Sequence, residues 1–199
     1  MKVLIQNLQK RSLLATQLFE EHNPDVMLAQ EINLHSETRV FPASNVSSMG
    51  YGTAISSKSG ELENIKCVRS PHAEFGGTIH KKTIIASTGS VQFVSFHGYN
   101  GQPFKSKEKL VDHVEAVLKV LSPGPSILAG DFNTWSQEHL NAVKAKLESE
   151  GFLLCYSWPY NGRDFPLDHA FVRDLTLKSS VDYECASDHR GAILELEMS

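Results

Sequence analysis

The chain has 199 residues, 41% of them hydrophobic, and a formal charge of -4. That length and apolar content suit one compact domain spanning 1–199, and the acidic balance gives no overall field in favour of nucleic acid, although local basic patches stay open. The apolar stretch Val3–Ile5 is too short for a signal peptide or a membrane span, and Cys67, Cys155 and Cys185 are too few and too scattered for a disulfide framework or a CxxC zinc site. A cytoplasmic monomer with reduced thiols is therefore expected.

In chain order, Lys2–Gln6 reads as a strand, and Ser12–His22 as a helix with Leu14, Leu18 and Phe19 on one face. Val26–Gln30 is a second strand. Residues 33–50, rich in Ser and Asn and without periodicity, read as a long loop. Gly52–Ser56, Ile65–Arg69, Thr83–Ser87 and Val91–Phe96 are strand-like, with Gly89-Ser90 turning the last two into a hairpin. Lys107–Leu121 has the clearest helical spacing, through Leu110, Val114, Val117, Leu118 and Leu121. A strand at Ile127–Ala129 leads to a helix at Gln137–Glu150, opened by a capping box between Thr134 and Gln137 and ended by Gly151. Leu153–Tyr156, Ala170–Val172, Leu175–Leu177 and Ala192–Glu197 complete the strands. Many strands with few helices between them predict two packed sheets with helices outside, not a βα barrel.

The run Ser126–Thr134 carries the strongest chemical signal. An apolar strand ends in Asp131 and Asn133, which share one side if the chain stays extended. A hard metal or a water nucleophile needs oxygen groups gathered in this way. Five other segments join an apolar strand to a polar residue of the same kind: Val3–Asn7, Asp25–Glu31, Val91–His97, Leu167–Val172 with Asp168, and Ser187–Arg190 with Asp188 and His189 ahead of an apolar run.

These six segments, in this order from Val3 to Leu194, resemble the endonuclease/exonuclease/phosphatase family, in particular its small bacterial members. The resemblance implies a DNase I-like, four-layered α/β sandwich of two packed, mainly antiparallel sheets flanked by helices, with the site at one rim. It implies Mg2+, or Mn2+, held by Glu31, with Asn7 as a further ligand or as the group that orients Glu31, and Asp188 near the ion. Asp131 is implied to activate the attacking water, and Asn133 to hold water or a phosphate oxygen. His189, oriented by Asp168, is implied to stabilise charge on the phosphate, and His97 to donate to the phosphate or the leaving oxygen.

His169 follows Asp168 on a strand and so points to the opposite face, which makes it structural. His22, His35, His72, His80, His113 and His139 lie in polar contexts that suggest the surface. Tyr99, Asn100, Trp135, Trp158, Tyr160 and Arg163 flank the motifs, where aromatic rings can stack on a base or sugar and Arg163 can pair with phosphate. The chain departs from the family pattern at Gln6, where an aromatic or small residue is usual, and in its short loops without a basic insertion.

The expected activity is metal-dependent hydrolysis of phosphodiesters, a nuclease first, with a phosphoester substrate that includes nucleic acid. The alternatives are a phosphatase for a small phosphorylated metabolite or lipid headgroup, and a catalytically inactive binding module.

Overall fold

A computed structural model describes residues 1–11, 13–35, 41–74, 76–102, 105–163 and 165–199. The N-terminal part forms β1 (Lys2–Asn7), α1 (Leu14–His22), β2 (Val26–Asn33), β3 (Ala43–Val46) and β4 (Tyr51–Ser57). Next come β5 (Glu63–Glu74), β6 (Ile79–Thr88), β7 (Val91–His97), α2 (Lys107–Leu118) and β8 (Ser126–Asp131). The chain closes with α3 (Gln137–Glu148), β9 (Leu153–Trp158), β10 (Asp168–Arg173), β11 (Leu175–Tyr183) and β12 (Gly191–Met198).

The strands form two six-stranded sheets, ordered β11-β12-β1-β2-β4-β3 and β5-β6-β7-β8-β10-β9. Each sheet is antiparallel except for one central parallel pair, β1 with β2 and β7 with β8. A parallel pair needs a crossover, and α1 and α2 supply the two. Apolar residues on the facing sides of the sheets, among them Val3, Leu28, Phe93, Ile127 and Leu194, make the central core. A second core joins α2 and α3 to the outer face of the second sheet through Leu110, Val114, Phe132, Val143 and Phe171. A third joins α1 to the first sheet through Leu4, Leu14, Leu18 and Met27. The layers therefore run helix, sheet, sheet, helices, the four-layered sandwich expected.

The boundaries differ from the sequence reading where strands are polar. Residues 33–50 are not all loop: β2 runs to Asn33, and Ala43–Val46 pairs with β4 as a short edge strand. Polar, half-exposed edges lack the alternation that marks a strand. β11 runs nine residues for the same reason, with Lys178, Ser179, Ser180 and Val181 all exposed in succession. The expected capping box is absent: Ser136 caps α3 by accepting from the His139 amide, while the Thr134 hydroxyl lies 2.6 Å from His169 Nε2. His113 is fully buried rather than on the surface, tilted against Phe96. Ser12 and residues 36–40 of the expected helix and loop lie outside the described residues.

Candidate active site

Open sheets with parallel strands gather groups at the carboxyl ends of those strands, because the crossovers turn away there. Asn7 ends β1, Glu31 lies near the end of β2, His97 ends β7 and Asp131 ends β8. Register completes the row: Asp131 stands beside His97 on one side and Asp168 on the other. His189 lies two residues before β12, which runs antiparallel to β1, and so reaches the same rim. Residues from both sheets thereby face one another across the end of the central core.

Two turns aim the carboxylates. Glu31 sits at a bulge in β2, where the register shifts between Gln30 and Ile32, and adopts φ 51°. A bulge inserts an unpaired residue and redirects its side chain. The strand therefore does not end at Glu31 but kinks there. Likewise, the extended chain does not last to Asn133. It stops at Asp131, and Asn133 takes φ 55° with its backbone N–H donating to Asp131 Oδ1 at 2.9 Å. This Asx turn, a conformation Asn tolerates, replaces the expected same-side strand geometry. Phe132 between them is fully buried against Phe96 and Phe171, so the turn is anchored in the core.

Asp131 is the hub. Its Oδ2 lies 3.2 Å from Asn7 Nδ2, 3.5 Å from His97 Nε2 and 3.8 Å from His189 Nε2. Burial pushes its pKa up to about 6, with Asp168 adding to the rise while His189 and Lys81 oppose it. His189 Nδ1 donates to Asp168 Oδ2 at 2.8 Å, the hydrogen bond expected between the last two motifs. Burial works against a charged ring, yet Asp168 and Asp131 together hold His189 protonated up to about pH 10. His97 goes the other way: burial, then the Lys81 ammonium, lower it well below the usual imidazole value. A neutral ring accepts at Nε2, where Lys81 Nζ donates at 2.6 Å.

Glu31, His97 and Asp131 offer ligand atoms that all lie within 4.8 Å of one another. Two carboxylates and a neutral imidazole suit a divalent cation, and the mixed oxygen and nitrogen donors fit Mn2+ as well as Mg2+. This group differs from the expected ligand set. Asn7 accepts from the Gln9 amide at its side-chain oxygen and donates from Nδ2 to Asp131 Oδ2, with His189 Nε2 3.3 Å from the same nitrogen. Asp188 faces the Tyr160 hydroxyl at 3.3 Å.

Of the flanking residues, Asn100 and Trp135 line a cavity of about 150 Å³ together with Glu31, His97, Asp131, Asn133, Asp188 and His189. Arg163 lies over the Trp135 ring. Tyr99 does not reach the substrate side: it is buried in the helix-facing core. An aromatic two residues past a strand end is as well placed for the core as for a ligand, and here the core takes it. Trp158 is likewise buried, its indole N–H held by the Arg190 carbonyl. Gln6 explains the departure noted above: its buried amide donates to the Asn7 and His189 carbonyls, tying the end of β1 to the histidine loop.

One residue of the rim, Lys81, was missed, while Tyr160 lines it as one of the flanking aromatics named from the sequence. Lys81 reaches His97 because β6 runs antiparallel to β7, which lays its start beside the end of β7. Tyr160 packs edge-on against His189, with centroids 4.7 Å apart. Lys81 follows no apolar strand, so it carried no motif signal.

The fold matches known proteins. At TM-score 0.73, the chain aligns over 100% of its length with an endonuclease/exonuclease/phosphatase of Bacteroides vulgatus at 15% identity, covering 98% of that chain. The human Nocturnin catalytic domain aligns over 100% of this chain and 93% of its own, at TM-score 0.71 and 16% identity. A mannosyl-6-phosphatase of Bacteroides thetaiotaomicron aligns over 100% of both chains, at TM-score 0.69 and 15% identity. Among curated proteins, a UPF0294 protein of Vibrio vulnificus is 36% identical over 96 residues, which are 46% of this chain and 34% of that protein. The match thus spans about a third of the length of that relative. No helix among the described residues is long and apolar enough to cross a membrane. The profile of the Endonuclease/Exonuclease/phosphatase family matches residues 5–189, and the chain belongs to that family.

Proposed function

We propose that this protein is a divalent-metal-dependent phosphoesterase that hydrolyses phosphodiester bonds, with nucleic acid as the leading substrate class. Members of the family are usually hydrolases of phosphoesters. The observation that carries the reading is the position of Asp131. It is shared between the cation-competent group of Glu31 and His97 and the Asp168–His189 pair.

Each residue has a task that its environment suits. Asp131, with a pKa raised by burial to about 6, is ionised at neutral pH yet basic enough to take a proton from an attacking water. Its Oδ1 is committed to the Asn133 amide, so Oδ2 is the accepting atom. His189, kept charged by Asp168, faces the developing negative charge on the phosphate. The Asn7 amide nitrogen donates to Asp131 Oδ2 and so fixes that carboxylate. The cation would be held by Glu31 beside Asp131, with His97 joining only once Lys81 gives up its Nε2, and when bound it would neutralise phosphate oxygens and acidify water. Lys81 sits 2.6 Å from His97 and adds a positive charge beside the same oxygens.

The small volume of the cavity, about 150 Å³, supports a second reading, a phosphatase for a small phosphorylated metabolite. One experiment separates the two. Purified protein is offered plasmid, single-stranded DNA, RNA, bis-p-nitrophenyl phosphate, sugar phosphates and inositol phosphates, with Mg2+, with Mn2+ and with excess chelator. Metal-dependent cleavage of the diesters supports the nuclease reading, and release of phosphate from monoesters alone supports the second. Unchanged activity in chelator rejects both.

A further inference from the structure

The cavity around Asp131 is small, about 150 Å³. A reacting phosphate and its waters fill it, so the rest of any substrate must lie across the rim. One stretch of that rim is cationic. Lys105 Nζ lies 3.3 Å from the centroid of the Trp135 ring, and the Arg163 guanidinium carbon lies 4.5 Å from it. Among the described residues, neither cation forms an ion pair with a carboxylate. Two like charges on one indole repel each other, and burial together with Arg163 lowers the Lys105 pKa. The neighbouring cavity, lined by Lys10, Lys81 and Lys82, differs in that Glu31 and Glu74 also line it.

The cationic cluster is held rigidly against the reaction cavity. The Trp135 indole N–H donates to Asn100 Oδ1 at 2.8 Å, and both residues line that cavity. The Asn100 backbone is fixed in turn by Glu74 Oε1 at 2.5 Å. A His139 ring nitrogen donates to the Lys105 carbonyl at 2.6 Å. The Arg163 amide donates to the carbonyl of Tyr160, the residue packed on His189. With two cations already on the ring, Trp135 is not an open platform for a base.

We infer that Lys105, Trp135 and Arg163 form a second anion subsite that takes a substrate phosphate other than the one that reacts. The inference deepens the proposed function and rests on it for the location of the reacting phosphate. The shared chemistry is a pair of neighbouring phosphates, found both in a nucleotide chain and in a small bisphosphorylated molecule. Arg supplies a planar fork for a phosphate, and Lys a mobile point charge.

The test uses two chromogenic diesters, thymidine 5′-(p-nitrophenyl phosphate) and the same compound with an added 3′-phosphate, at saturating Mn2+. The wild-type protein should favour the 3′-phosphorylated diester in kcat/KM. In Arg163→Ala and in Lys105→Ala the ratio of the two kcat/KM values should fall by about 10-fold, the usual size of a charged hydrogen bond. Because the ratio is internal to each variant, partial misfolding does not imitate the effect. A ratio unchanged in both variants overturns the subsite. If the wild-type protein cleaves neither diester, the proposed function fails, and the subsite is judged by tryptophan fluorescence during titration with thymidine 3′,5′-bisphosphate. A saturable change that Arg163→Ala abolishes supports the subsite, and no saturable change overturns it. Competition by a short oligothymidylate at lower concentration than the bisphosphate identifies a chain as the source, and the reverse order a small molecule. Failure of both to compete overturns the inference.

Discussion

At the scale of single residues, the rim works by opposed environments. His97 and His189 are both buried, yet burial and Lys81 keep the first neutral, while Asp168 and Asp131 keep the second charged. That difference assigns one ring to accept or ligate and the other to meet negative charge. It also links protonation to stability. The folded His189 titrates near 10, above its ordinary value of 6.5, so its stabilising share is complete below about pH 6.5 and is lost as pH rises towards 10. Urea unfolding of the metal-free protein should therefore show stability falling from pH 7 to 9.5. Asp168→Asn, which removes the main attractive partner, should flatten that slope; an equally steep slope in the variant would show that the pair does not set it.

At the scale of elements, two βαβ crossovers and their turns do the positioning. The six motif segments were legible because each joined an apolar strand to a polar end, and those ends do meet at one rim. The bulge at Glu31 was not legible, whereas a turn is what an Asp-x-Asn run after a strand favours. The bulge depends on backbone dihedrals set where β2 pairs with β4, and Glu has no preference for positive φ to announce it. The polar edge strand β3 and the long β11 were hidden because their faces do not alternate. His113 was misplaced because it was grouped with the surface histidines, although it lies three residues after Leu110 and four before Val117, and helix α2 turns it towards Phe96. Gly130 shows how tightly the turn before Asp131 is set. It adopts φ 138°, and a Cβ there would lie 2.3 Å from the Phe96 carbonyl oxygen. Gly130→Ala should destabilise the fold by about 2 kcal/mol or more. Gly60→Ala, at φ 78° with nothing within 4 Å, should cost less. Equal midpoints for the two variants in urea would contradict the close approach.

At the scale of the whole molecule, both sheets contribute to the site, so occupancy of the rim should brace them against each other. Glu31 comes from the first sheet, and His97 and Asp131 from the second. A ligand that binds only the folded state stabilises it by about 2.7 kcal/mol at 100 times its Kd. Mn2+ should raise the melting temperature of the wild-type protein, and Glu31→Gln should remove most of that rise. An identical rise in the variant would place the ion elsewhere.

The account stands or falls on Asp131, and its turnover of bis-p-nitrophenyl phosphate at saturating Mn2+ tests it most directly. Asp131→Asn keeps the shape but loses the proton acceptor, with circular dichroism to confirm the fold. The account predicts a rate lower by about 10²- to 10⁴-fold, the usual size of a general-base effect. Asn133→Ala, which removes the side-chain bond to the Gly98 carbonyl and strains the positive-φ turn but keeps the Asp131 acceptor, should lose less. Near wild-type turnover of Asp131→Asn across pH 6 to 9 would contradict the mechanism at its centre.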